Sequence, residues 1–129
     1  MPVRSEIVGE VLQVTFSGIL TKEDLGRVGE QVLEIEGPDG FLHPRLIDIS
    51  GITAASIGFD AVSQLTDQRR GVTLHNAIKS AIVAREPLQL GFARMFQTLN
   101  DHPQITVEVF RDRAAAMSWL AVPQAPPAD

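Results

Sequence analysis

The chain has 129 residues, 44% hydrophobic and 21% charged, a balance that supports one domain around a single core and argues against extensive disorder. Its formal net charge of −5 has the wrong sign for a general nucleic-acid binder, whose surface must meet phosphates. The absence of cysteine excludes disulfides, thiol nucleophiles and Cys-based metal sites.

In chain order, Ile7-Val8, Gly9-Glu10 and Val11 to Phe16 read as a hairpin. Leu12, Val14 and Phe16 share one face of the second strand, and Gly9 suits a two-residue turn with positive φ. Thr21 and Asp24 resemble a capping box, and Leu25, Val28, Val32 and Leu33 then recur at helical spacing until Gly37-Pro38. Gly26 and Gly29 inside this helix point to a close approach of helix to sheet. Arg45 to Gly51 reads as a central strand, apolar on both faces until its polar end. A second helix is expected from about Ser56 to Arg70, with Phe59, Val62 and Leu65 inward, and a strand over Ala77 to Ala84.

A third helix follows Pro87, with Leu88, Phe92, Met95, Phe96 and Leu99 as its apolar face. Ile105 to Phe110 alternates as a last strand, and Asp112 caps a final helix with Ala115, Ala116, Trp119 and Leu120 in one stripe. The order predicts a single α/β domain over residues 1–121. Its mixed, mostly parallel sheet has about five strands, accompanied by about four helices. Residues 122–129, with three prolines, are expected to form a disordered tail. The N-terminus holds no apolar run of signal-peptide type, and no segment approaches the roughly 20 apolar residues of a membrane span, so a cytoplasmic protein is expected.

In open α/β sheets ligands bind beyond the C-terminal strand ends, which directs attention to Asp48, Ser50, Ser56 and Arg85. An acid, hydroxyls and a helix N-terminus suit a phosphate or a phosphorylatable serine; the same residues also serve as ordinary turn and cap groups. Phe92, Met95 and Phe96 beside Arg94 could line a pocket for a lipophilic ligand or touch a membrane surface, with Arg85 and Arg94 holding an anionic head group. The more common role of such a stripe is core. His43, His75 and His102 lack metal-pair spacing and read as turn residues. No Gly-x-Ser-x-Gly elbow, Gly-x-Gly-x-x-Gly run or Walker lysine is present, so no cofactor and no catalytic centre are implied.

Three patterns carry a family resemblance: Leu46-Ile47-Asp48-Ile49-Ser50-Gly51, Gly91-Phe92-Ala93-Arg94-Met95-Phe96, and Val109-Phe110-Arg111-Asp112 running on to Ala116-Met117-Ser118-Trp119-Leu120. Together they resemble the STAS fold, and more closely its SpoIIAA-like branch, over about Val11 to Leu120. The resemblance implies a non-enzymatic regulatory module acting through protein contacts, in which a serine at the start of the second helix is phosphorylated. Ser56 lies near that place, although Ala55 stands where the motif has an acid. For the SpoIIAA-like branch the resemblance also implies lipid or membrane association, and a second copy of the chain is a further candidate partner.

Overall fold

Residues 3–37, 42–58, 60–64, 76–100 and 102–122 are described by the computed structural model. Along the chain lie β1 (Val3–Val8), β2 (Val11–Leu20), α1 (Lys22–Glu36) and β3 (Arg45–Ala55), then α2, helical over residues 60–64. β4 (Ile78–Val83), α3 (Pro87–Leu99), β5 (Ile105–Phe110) and α4 (Arg113–Ala121) follow. The five strands form one sheet in the order β1-β2-β3-β4-β5. Only the β1–β2 hairpin is antiparallel; the other neighbours run parallel.

The local signals act where the sequence places them. Gly9 takes φ +63 in the hairpin turn, where a Cβ would be strained. Asp24 N–H donates to Thr21 Oγ1 at 3.3 Å and Thr21 N–H to Asp24 Oδ2 at 2.9 Å, closing the capping box. Gly37 ends α1 at φ +74, its N–H on Leu33 O. Asp112 accepts from Ala114 N–H and caps α4.

The strand order decides the layering. From β2 to β5 each strand is added on the same side of the last, so right-handed crossovers put every connecting helix on one face. Leu25, Val28 and Val32 of α1 and Phe92 and Phe96 of α3 accordingly pack in one cluster with Leu12, Val14, Phe16, Ile49, Ile82 and Val107. The opposite face is covered by α4, whose Ala116 and Leu120 meet Leu46, Ala81 and Val83. The winding never reverses, so the sheet has no switch point at which neighbouring crossovers part to leave a crevice.

Three expectations are corrected. β2 and β3 are longer than their apolar patterns imply: past the end of β4 they continue as a two-stranded ribbon, Ser17 against Gly51 and Leu20 against Ala55, with two register shifts. Asp48 and Ser50 therefore sit inside a strand, with Asp48 opposite Thr15 and Val83, and Ser56 follows the strand without itself capping a helix. Gly26 and Gly29 meet nothing within 4 Å of a built Cβ, so no close approach requires them. His102 is buried, its Nδ1 accepting from Gln104 N–H at 3.1 Å, while half-buried His43 contacts Glu36. Phe59, Leu65, Arg69, Arg70, His75 and residues 123–129 lie outside the described residues.

The glycine that does answer a close approach is Gly51, where a Cβ would stand 2.8 Å from Phe16 O across the shifted register. Gly51→Ala should lower stability by about 1–3 kcal/mol in urea unfolding, since a strand carbonyl cannot move aside. Gly26→Ala should raise stability by up to about 1 kcal/mol.

Candidate functional site

Where β4 stops, β3 runs on, and its carbonyls on that side need partners. Gln89, 3% exposed on the first turn of α3, supplies them. Its Nε2 donates to Ser50 O at 3.0 Å and Ile52 O at 2.9 Å, while its Oε1 accepts from Arg85 N–H at 3.0 Å and Glu86 N–H at 3.1 Å. One side chain thus replaces the missing strand and satisfies the orphan N–H groups at the start of α3. A fully bonded buried amide is stabilising; a truncated one leaves four groups unmatched.

This anchor fixes the rotation of α3. The face against the sheet is Gln89, Ala93 and Phe96, with Phe92 beside it, while Leu88 is 42% exposed and Arg94 lies in solvent. Of the stripe read from hydropathy (Leu88, Phe92, Met95, Phe96 and Leu99), Phe92 and Phe96 pack on the core while Leu88 does not, because the helix is rotated to bring Gln89 and Ala93 inward. The buried position on the first turn is polar, so an apolar count passes over it.

Between the sheet and α1, α2 and α3 lies a cavity of about 140 Å³. Its wall is almost wholly apolar: Val14, Phe16, Val28, Ile47, Phe92 and Phe96 are typical, and Arg45 and Ser80 are the polar exceptions. Phe92 and Phe96 are both part of this wall. Met95 is absent from the wall, and neither Arg85 nor Arg94 reaches it. Arg85 Nε donates to Arg111 O at 3.1 Å. The arginine at the cavity is Arg45, the first residue of β3.

Arg45 is 9% exposed and its Nη2 donates to Glu36 Oε1. Glu36 Oε2 accepts His43 N–H at 2.7 Å and lies 3.2 Å from His43 Nδ1. Burial draws the Arg45 pKa below its ordinary value, and the Glu36 charge and hydrogen bond only partly offset this. Arg45 Nε, buried, has no partner among the described groups.

On the other face of the sheet, Asp48 Oδ2 accepts from Arg113 Nη1 at 2.9 Å, and Arg113 Nη2 donates to Gln13 Oε1. Asp48 Oδ1 accepts Ser50 Oγ–H at 2.6 Å and Ser50 N–H at 2.9 Å. Arg113 thereby joins α4 to β3 through Asp48 and to β2 through Gln13. Ser56 is elsewhere: exposed, with its N–H on Leu20 O at 2.9 Å, in a recess shared with Lys22, Asp60 and Gln64. The sequence-derived residues thus separate into three places: the Asp48–Ser50 pair, the recess at Ser56, and the cavity beside Phe92 and Phe96. Among the described residues no cluster of His, Asp or Glu has metal-binding geometry, and no helix is long and apolar enough to cross a membrane.

This architecture is a SpoIIAA-like fold. The chain is similar to an uncharacterized protein of the DUF3478 family with a SpoIIAA-like fold from Shewanella loihica PV-4, at TM-score 0.63 and 20% identity over 92% of both chains. It is also similar to an anti-sigma factor antagonist from Mycobacterium paratuberculosis, at TM-score 0.59 and 12% identity, again over 92% of each. At these identities the likeness is one of fold. No family model and no curated protein matches the sequence.

Two variants probe the buried polar groups. Gln89→Leu should cost about 3 kcal/mol in chemical denaturation, from four groups left without partners. Glu36→Gln should cost about 3–5 kcal/mol, since it leaves the Arg45 charge buried and uncompensated.

Proposed function

We propose that the chain is a non-enzymatic regulatory module that works through protein contact, with Ser56 as its modifiable residue. The supporting observation is the place of Ser56: an exposed residue between the end of β3 and the start of α2, its hydroxyl donating to Leu20 O at 3.4 Å, in a recess shared with Lys22. A phosphate there gains from an ammonium and from helix-end N–H groups, and it alters a surface a partner can read. The likeness of fold to an anti-sigma factor antagonist favours the same class of role. Asp48 and Ser50, engaged with each other and with Arg113, are structural in this reading, with no bond-breaking part.

The test is expression alongside the native kinases, phosphopeptide mapping, and affinity capture with wild type and Ser56→Asp. Phosphate at Ser56 and a partner retained by one form but lost by the other are the expected results. An unmodified Ser56 together with identical capture by both forms would overturn the reading.

A second reading rests on the cavity. Its size is close to that of an engineered apolar cavity of about 150 Å³ that stays dry and binds benzene, so a small lipophilic ligand is the chemistry that suits it. Membrane contact through Phe92 and Phe96 is less favoured, because exposing them requires α3 to leave the sheet and Gln89 to give up its hydrogen bonds. Small aromatic and short acyl probes should raise Tm by binding the folded state, and the rise should vanish in Ala93→Phe, which fills the space. No shift with any probe removes this reading.

A further inference from the structure

The two edges of the sheet are finished differently. On β5, α3 covers the outward carbonyls: Gln97 Nε2 donates to Val107 O at 3.0 Å and Asn100 Nδ2 to Ile105 O at 3.1 Å. That blunts the edge against further pairing. On β1 no described side chain does this, and among the described residues no strand lies beyond it.

The hairpin register settles which groups face out. Leu12 N–H donates to Pro44 O, toward β3, so Leu12 and its opposite, Ile7, are not a hydrogen-bonded pair. The pairs that bond are those of Val8, Glu6 and Arg4, and the backbone groups of Val3, Ser5 and Ile7 point away from the sheet. Arg4 and Glu6 share the opposite face from Ser5, their side chains 73% and 47% exposed and bonded to each other at 2.9 Å.

Arg4-Ser5-Glu6 is charge-complementary to itself when read antiparallel. If β1 meets a second β1 about a two-fold axis at Ser5, the outward groups of Val3, Ser5 and Ile7 face those of the partner's Ile7, the partner's Ser5 and the partner's Val3. Arg4 then stands opposite the partner's Glu6, and Glu6 opposite the partner's Arg4. Moving the register by one residue turns inward groups toward the partner; moving it by two sets Arg4 against the partner's Arg4, or Glu6 against the partner's Glu6. One alignment alone satisfies both backbone and charge. The helix above agrees with it: Ser5 Oγ donates to Gln31 Oε1 at 2.6 Å, and one turn to either side of Gln31 stand Arg27 and Glu34, of opposite sign. Ile7, on β1 itself, is an exposed apolar group, 39% accessible.

We infer that β1 is a homodimer interface, joining two copies into one continuous sheet through antiparallel pairing centred on Ser5. The inference is independent of any role for Ser56 or the cavity. It is tested by sedimentation equilibrium of the full chain as wild type, Arg4→Glu, Glu6→Arg and the double reversal, with circular dichroism confirming that each variant folds. Wild type should dimerise. Each single reversal should raise the dimer Kd about tenfold, by replacing attraction with repulsion at two cross-strand pairs. The double reversal should restore the wild-type Kd, and mixing the two single variants should yield a heterodimer that neither forms alone. A wild-type chain monomeric at its highest soluble concentration overturns the inference, as does a dimer indifferent to the single reversals.

Discussion

Each strand after the hairpin is laid beside the last in the same direction, and most of the molecule follows from that. Right-handed crossovers then place α1, α2 and α3 on one face, and among the described residues the C-terminal α4 covers the other. Three helices over one twisted sheet enclose space that side chains do not fill, and the cavity lies beneath them. The same one-way winding denies the sheet the crevice at which doubly wound folds bind ligands. What the fold offers instead is the enclosed cavity and, at the end of β3, the surface recess at Ser56.

Polar residues in this structure act as joints between elements. Gln89 binds the overrunning end of β3 to the start of α3, and Glu36 binds the end of α1 to Arg45 and His43. Asp48 and Arg113 join the sheet to α4. Each joint lies where a strand or helix ends beside one that continues, which is where backbone or charge would otherwise lack a partner. Ser56 lies outside these joints and is exposed. The edges show the same logic: α3 closes β5 with amide side chains, while β1 keeps a self-complementary charge pattern.

Much of the architecture was legible in advance because its signals are local. The Gly9 turn, the Thr21–Asp24 box, the Gly37 stop and the Asp112 cap depend on residues a few positions apart, and each acts as read. The alternation of Ile105 to Phe110 and the presence of Phe92 and Phe96 over the sheet were also legible, since period and apolarity are carried along one segment. The ribbon extension of β2 and β3 was not. Ser17, Gly18, Ile19 and Leu20 extend as a strand because they pair with Gly51, Ile52, Ala54 and Ala55, a relation that neither stretch carries alone.

By itself, then, the amino-acid order determined the element types, the caps and the α/β class, because those rest on contacts within one turn or one alternation. Tertiary structure decided the phase of α3, the place of Arg45 at the cavity, and the separation of Asp48 from Ser56. Those outcomes depend on which strand stops first and what must then satisfy its neighbour, a relation between segments some forty residues apart that no local pattern encodes.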